Sequence, residues 1–217
     1  MLQLIAVISK YALICVATLS FCVGLKFRKR HRELSHLYIY ALASASQSII
    51  YTFLFASKKA ISINISIHIF LIIELSCIFF FFYKTDILTR IVKEYLLFMF
   101  LLCICFYVSF ILNSNLLIRN VISIYYKESL IVLIPCFIYL FQLFLKPPIL
   151  NLLEEPSFWF NAGLLIYFVL TFPIFFMISY FIKTSMSFLL DIVNYIGYIL
   201  IFSFLIRAYL CKPKITI

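Results

Sequence analysis

Polar and ionisable side chains interrupt several long apolar runs of this chain, and they are its candidates for chemistry. If these runs cross a membrane, each such group is costly to bury and is therefore a functional candidate by default. At a rise of about 1.5 Å per residue, Lys10, Gln47 and His68 each lie about 12 Å from one common end of their helices. The sequence predicts that these residues meet others in a polar cavity that binds a ligand: Lys10, Gln47, His68, Glu74, Asp191 and Asn194.

A structural interpretation competes with this cavity. Lys10 would extend its ammonium group to the headgroups, His68 would donate to a backbone carbonyl, and Asp191 would cap its helix. His68 is the candidate whose protonation would respond most readily to ambient pH. The sequence leaves both interpretations open.

Glu74 is the deepest carboxylate of the set, at about 20 Å from the end of its span. At that depth it must be neutral, paired or facing water. It follows His68 by six residues, a rotation of about 240° along a helix, so the two side chains do not share a face. They are not expected to form a metal pair or an acid–base dyad.

Motifs that would indicate an enzyme are missing. HExxH, GxSxG and P-loop patterns do not occur, and the seven cysteines include no CxxC pair. We therefore name no catalytic or metal-binding residue, expect no cofactor, and regard enzymatic activity as disfavoured.

A polar, proline-containing stretch opens one of the apolar runs. Glu154 and Glu155 precede Pro156, as suits a helix start. Trp159, the only tryptophan, belongs at a membrane interface, and Asn161 lies just inside the hydrocarbon. Pro173 removes a backbone hydrogen bond further along, which predicts a bend or a hinge.

The composition explains which elements must position these residues. Hydrophobic residues make up 66% of the 217 and charged residues 12%, whereas about a quarter of a soluble domain is charged. Too few polar side chains remain to cover a surface in water. The chain is therefore predicted to be an all-α, polytopic membrane protein that contacts the lipid bilayer. We attribute its net charge of +10 to basic loops that face anionic lipid headgroups, and we expect no nucleic-acid partner.

The apolar runs predict one transmembrane domain, residues 1–217, built as a bundle of seven helices. The predicted spans are 2–25, 34–55, 60–83, 95–113, 122–145, 157–182 and 189–210. The link at 114–129 is amphipathic, and it suits either an interfacial helix or an outward extension of the fifth span. Small residues in the second span favour it as the central helix, and the scarcity of glycine argues against close backbone packing.

Basic residues predict the orientation of the bundle. Of the 18 Lys and Arg residues, twelve fall on the side of the loops after spans one, three and five, and five fall on the other side. Loops rich in Lys and Arg stay in the cytoplasm. The N-terminus is therefore predicted to lie outside and the C-terminus in the cytoplasm, with the chain crossing the plasma membrane several times.

One resemblance adds to this description. The run EPSFWFNAGLLIYF, from Glu155 to Phe168, resembles the most distinctive segment of a group of small bacterial seven-span proteins. That group is largely uncharacterised, and its members often neighbour two-component regulators. His68–Lys84, which contains Glu74, and the run NYIGY at Asn194–Tyr198 are similar in character. The resemblance implies a sensory or accessory role in a bacterial inner membrane.

Three functions follow in order of weight. The first is a non-enzymatic sensory or accessory module that acts through a membrane or cytoplasmic signalling partner. The second is a transporter or channel for a small solute or ion, for which mid-depth Glu74 and the proline-containing spans are the motivation. The third, with the lowest weight, is a membrane-embedded lipid hydrolase that would use Glu74 or Asp191 with water.

Overall fold

The computed structural model describes residues 2–31, 33–57, 60–112, 114–145, 147, 151–177 and 187–211. These residues form seven α-helices and one short 3-10 helix, so the predicted all-α class is confirmed. The helices are α1 (Leu2–Phe27), α2 (Leu37–Ala56), α3 (Ala60–Lys84), α4 (Arg90–Leu112), α5 (Ser114–Leu145), α6 (Pro156–Phe176) and α7 (Ser187–Leu210), with the 3-10 helix at Leu152–Glu154.

Six of the described helices are long and apolar enough to cross a membrane, namely α1, α2, α3, α4, α6 and α7. The described apolar part of α5 is shorter and runs from Ser129 to Leu145. However, α5 itself is continuous over 32 residues, or about 48 Å, against a hydrocarbon core of about 30 Å. The link at 114–129 therefore extends the fifth helix and is not a separate interfacial helix.

Two other boundaries differ from the prediction. Helix α4 begins at Arg90, not at residue 95, and its first turn holds an Arg90–Glu94 pair at 2.8 Å with the spacing that stabilises exposed helices. Helix α2 begins at Leu37, not at residue 34, because residues 33–36 form turns. Residues 178–182 of the predicted sixth span lie outside the described residues.

The helices pack as a ring with one helix outside it. Helix α1 packs against α2 and α7, α6 packs against α5 and α7, and α3 packs against α2 and α5. Helix α4 lies outside this ring, against α3 and α5. In this arrangement α1, α3, α5 and α7 end where α2, α4 and α6 begin. We call this end of the bundle the basic end, since Lys26, Arg28, Lys29, Arg90 and Arg207 lie there.

Helix α3, a member of the ring, is more deeply buried than α2, which the sequence favoured as the central helix. Over their apolar windows 56% of α3 residues are buried, against 33% of α2 residues. The ring of Phe81 in α3 packs edge-on against Phe160 of α6, with centroids 4.8 Å apart, and also contacts Tyr139 of α5. Bulky aromatic side chains that fill the space between helices, more than small residues, mark the centre of this bundle.

Candidate functional site

The carboxyl group of Glu74 lies at the centre of the bundle and is 1% exposed. The hydroxyl of Tyr40 donates to its Oε1 at 2.7 Å, and the hydroxyl of Tyr198 donates to its Oε2 at 2.9 Å. Tyr40 belongs to α2 and Tyr198 to α7, so one carboxyl group joins three helices. We call Glu74, Tyr40 and Tyr198 the tyrosine clamp.

Helix α6 supports the clamp through Tyr167. The Tyr167 hydroxyl donates to Oδ1 of Asn194 at 2.9 Å, and its ring lies 4.7 Å from the ring of Tyr198. Gly197 makes room for this contact, because a Cβ atom there would lie 2.4 Å from the Tyr167 ring. The single hydrogen at position 197 therefore sets how closely α6 and α7 approach beside the clamp.

The clamp suits a carboxyl group in either protonation state. A carboxylate accepts both tyrosine hydroxyls, whereas a protonated carboxyl donates one hydrogen bond, which a tyrosine oxygen can accept. The only ion pair among the described residues is Arg90–Glu94, at the basic end, so hydroxyl groups and not a cation compensate Glu74. The described residues include no group of three or more His, Cys, Asp or Glu that could hold a metal. The site can hold three helices together.

Lys10 of α1 and Asp191 of α7 form a second polar group, but not an ion pair, since the one ion pair among the described residues is Arg90–Glu94. Their charges are close enough to interact, and the Lys10 ammonium lies 5.2 Å from the ring centroid of Tyr51 in α2. The charge of Asp191 also interacts electrostatically with Tyr195, which lies one turn further along α7. This polar group lies toward the end of the bundle opposite the basic end, since Lys10 and Asp191 are near the starts of α1 and α7.

Gln47 and His68 lie apart from both groups. The Gln47 amide donates to Ser66 Oγ at 3.4 Å, beside a mostly apolar cavity of about 180 Å³ between α2 and α3. His68 is fully buried, with its ring edge-on to Tyr107 of α4 at 6.2 Å. The structure thus connects Glu74 with Asn194 through two tyrosines and brings Lys10 near Asp191, while Gln47 and His68 have separate neighbours. His68 and Glu74 occupy different faces of α3, as expected.

The predicted interfacial and hinge residues lie on α6. The Trp159 indole donates to the Leu153 carbonyl at 2.8 Å, and the Arg207 guanidinium lies over its ring at 5.5 Å. Asn161 is fully buried and donates to the Cys136 carbonyl at 3.2 Å, while its Oδ1 has no hydrogen-bond partner. Pro173 lies inside α6, which continues to Phe176.

A second hydroxyl–carboxyl network occupies the basic end. Tyr139 donates to Ser157 Oγ at 2.7 Å, and Ser157 donates to Glu155 Oε1 at 2.6 Å. All three side chains are buried. We call Tyr139, Ser157 and Glu155 the basic-end network. It fixes the start of α6 against α5.

Histidines fasten the connection between α1 and α2 at the same end. Nε2 of His31 donates to the Cys211 carbonyl at 3.2 Å, and Nε2 of His36 donates to the Cys77 carbonyl at 3.0 Å, because a carbonyl can only accept. Burial lowers the pKa of His31, and the bond to Cys211 opposes that shift. Burial lowers the pKa of His36 from 6.5 to about 4, the bond to Cys77 opposes this, and the charge of Lys84 adds to it.

Sequence reasoning missed the tyrosines that complete both networks. The chain has 15 tyrosines, and a phenol ring suits many depths of a membrane span. Nothing in their spacing shows which of them reach a carboxylate on another helix. A deep glutamate in a span does carry one signal, namely the need for donors on neighbouring helices.

The comparisons with known proteins leave the geometry as the basis for assigning a function. The resemblance to small bacterial seven-span proteins stays a prediction. No protein-family model matches this chain, and neither a curated protein nor a solved structure matches it.

Proposed function

We propose that this chain is a non-enzymatic sensory or accessory module of the plasma membrane that acts through a partner protein. The observation that carries the proposal is the tyrosine clamp, in which a single mid-depth carboxyl group joins α2, α3 and α7. Removing or rearranging those two hydrogen bonds would change how three helices sit against one another. Such a change in helix packing is what a sensory bundle transmits.

Helix α7 gives the module a route between its two ends. It carries Asp191 near Lys10, toward the end of the bundle opposite the basic end, which we call the Lys10 end, and it carries Tyr198 in the tyrosine clamp. At the basic end Tyr209 donates to the Leu34 carbonyl at 2.9 Å, and the Cys211 carbonyl accepts from His31. A ligand that moved α7 at the Lys10 end would therefore act on bonds at both the clamp and the α1–α2 connection.

The topology belongs to the same proposal. Seven spans would place the N-terminus outside and the basic end in the cytoplasm, where Lys and Arg are retained. A partner would then meet the connections at the basic end. The resemblance to bacterial inner-membrane proteins that neighbour two-component regulators favours a signalling partner.

The test compares cells that carry wild-type and substituted chains at equal membrane abundance. Deletion of the gene in its native host should change a defined set of transcripts, and the wild-type chain should restore them. Glu74→Gln should fail to restore them, whereas Glu94→Gln, an exposed carboxylate at the basic end, should succeed. Full restoration by a chain with His68, Gln47 and Asp191 all substituted would rule out sensing through those residues.

A transporter or channel is the second candidate. Glu74 at mid-depth and the prolines inside α5 and α6, Pro135 and Pro173, favour it. Purified chain in proteoliposomes would then pass an ion or solute, and Glu74→Gln would abolish the flux. Flux of this kind, without any transcript change on deletion, would replace the sensory proposal.

A further inference from the structure

The outer surface between α1 and α2 carries a graded series of side chains at the basic end, and we call this surface the α1–α2 seam. The guanidinium of Arg28 lies over the ring of Tyr38, 5.9 Å from its centroid. The Tyr38 ring lies 6.2 Å from the ring of Phe21, which is deeper in the bundle. Leu25 of α1 and Leu42 of α2 lie about one turn deeper than Arg28 and Tyr38, and both are exposed. The seam therefore changes from a cation to a phenol ring to apolar side chains along the helix axes.

Three further cations lie beside Arg28. Lys26 and Arg30 both lie over the ring of Phe27, at 5.4 and 4.9 Å from its centroid. Lys29 follows Arg28 directly, and all four basic residues are exposed. Contact with an aromatic ring favours a cation but does not neutralise its charge. None of the four forms an ion pair within the described part of the chain. This corner therefore presents a concentrated positive charge.

The acidic residues of the basic end lie around other helices. The nearest in sequence is Glu33, which lines a cavity between the α3–α4 connection, the end of α5 and the start of α6. Its charge also acts on buried His31. The others are in that same cavity lining, in the ion pair of α4 or at the start of α6, namely Asp86, Glu94, Glu154 and Glu155. The α1–α2 seam is therefore the strongly basic part of this end.

An anionic phospholipid fits this graded series from one end to the other. Basic residues beside a membrane-spanning helix attract anionic headgroups, and tyrosine rings suit the depth of the headgroups. The exposed leucines and Phe21 lie deeper, where an acyl chain would pack against them. A soluble phosphate or an acidic peptide would use the cations of the seam but not its apolar side chains. The continuity between the two parts therefore favours a lipid.

We propose that the α1–α2 seam binds one anionic phospholipid. Its phosphodiester lies against Arg28 and Lys29, and one acyl chain follows Tyr38, Phe21 and Leu42 into the membrane. This inference requires that the bundle spans a membrane. It depends neither on the sensory role nor on which side of the membrane holds the basic end, so either can fail without the other.

The test is native mass spectrometry of the purified full chain in detergent, titrated separately with dioleoyl phosphatidylglycerol and dioleoyl phosphatidylcholine. The first phosphatidylglycerol should bind about fivefold more tightly than the first phosphatidylcholine. Arg28→Gln should weaken phosphatidylglycerol binding about fivefold and leave phosphatidylcholine binding unchanged. Arg207→Gln is the matched control, since Arg207 also lies over an aromatic ring at the basic end. The charges of Glu154 and Glu155 act on Cys211 together with that of Arg207, so this control should bind phosphatidylglycerol like the wild type.

Leu42→Ser tests the apolar half of the site. It leaves the charge unchanged and alters an exposed residue, yet it should weaken phosphatidylglycerol binding several-fold. Thermal unfolding shows that each variant is folded, and phosphatidylglycerol should raise the Tm of Arg207→Gln more than that of Arg28→Gln. Equal losses of binding in Arg28→Gln and Arg207→Gln would show that lipid follows net charge and would overturn the proposal. Displacement of the lipid by soluble glycerophosphoglycerol or inorganic phosphate at equal concentration would also overturn it, and would assign the seam to a soluble anion.

Discussion

Two buried carboxyl groups in this bundle accept hydroxyl hydrogen bonds, yet their partners come from very different distances along the chain. Glu155 accepts from Ser157, two residues later, at the first turn of α6. Glu74 accepts from Tyr40 and Tyr198, which are 34 and 124 residues away. The first arrangement is a local helix start, and the second exists only when three helices have assembled.

Access to water separates them further. Ser157 of the basic-end network lines a cavity of about 530 Å³ that lies between the connection from α3 to α4, the end of α5 and the start of α6. Water can therefore reach the Ser157 hydroxyl when a partner is lost. Glu74 lies in the middle of α3, among aromatic side chains, and lines neither of the two cavities described above. Loss of a hydrogen-bond partner should therefore lower the free energy of unfolding far more at the tyrosine clamp than in the basic-end network.

Glu74→Ala should have the largest effect, because it leaves two buried tyrosine hydroxyls without their acceptor. At about 1–3 kcal/mol for each unsatisfied group, the loss is roughly 2–6 kcal/mol. The apparent Tm should fall by about 5 °C or more. The measurement is thermal unfolding in detergent, followed with a thiol-reactive dye that reports exposure of buried Cys77 and Cys136.

Replacing the whole clamp is the matched control for that loss. Glu74→Leu combined with Tyr40→Phe and Tyr198→Phe removes the acceptor and both donors together, so it should recover much of the stability lost in Glu74→Ala. If Glu74→Ala unfolds at the same temperature as the wild type, the clamp does not hold the three helices together.

Acidification should destabilise the basic end through His36. Its folded pKa of about 4 lies below the ordinary 6.5, so the stability from its neutral ring is complete above pH 6.5. That stability is lost as the pH falls from 6.5 toward 4, because only the unfolded chain then binds the proton. The loss is roughly 3 kcal/mol at pH 4. Melting curves between pH 7.5 and 4 should show it.

His36→Gln keeps a side-chain donor for the Cys77 carbonyl but does not titrate. Its Tm should fall less steeply with acid than that of the wild type. His31→Gln serves as the comparison, since His31 also has a lowered pKa and lies in the same connection. Identical slopes for the wild type and His36→Gln would remove His36 as the source of acid sensitivity.

The sequence predicts the local half of this comparison well and the tertiary half poorly. Hydrophobic runs identify the helices, and the run from Glu154 to Ser157 identifies the start of α6, because both depend on neighbouring residues. The depth of Glu74 also follows from counting. Its partners do not, since selecting Tyr40 and Tyr198 among 15 tyrosines requires the rotation of each helix about its axis. For the same reason the small residues of α2 do not show that α3 is the more deeply buried helix.

Gly197→Ala should disturb the clamp at Tyr198 and should lower the stability by less than Glu74→Ala does. The added Cβ would lie 2.4 Å from the Tyr167 ring, which must shift and lose its contact with Tyr198. Overpacking of this kind costs about 1–3 kcal/mol. Gly163→Ala is the control, since its Cβ would lie 3.1 Å from Phe204 and alanine favours a helix. In thermal unfolding the Tm of Gly197→Ala should be lower than that of Gly163→Ala, and the reverse order would contradict this account.

Ser157→Ala should have the smallest effect of the series, because the basic-end network borders a cavity. The change removes the acceptor of Tyr139 and the donor to Glu155. Thr85 still interacts with Tyr139, and water in the cavity can replace the lost hydroxyl. We expect a loss of about 1 kcal/mol, or roughly 2–4 °C in Tm. If Ser157→Ala instead destabilises the chain as much as Glu74→Ala, the cavity does not admit water to this network. Glu74 and Glu155 would then be equally shielded from water, and they would differ only in how far along the sequence their hydrogen-bond partners lie.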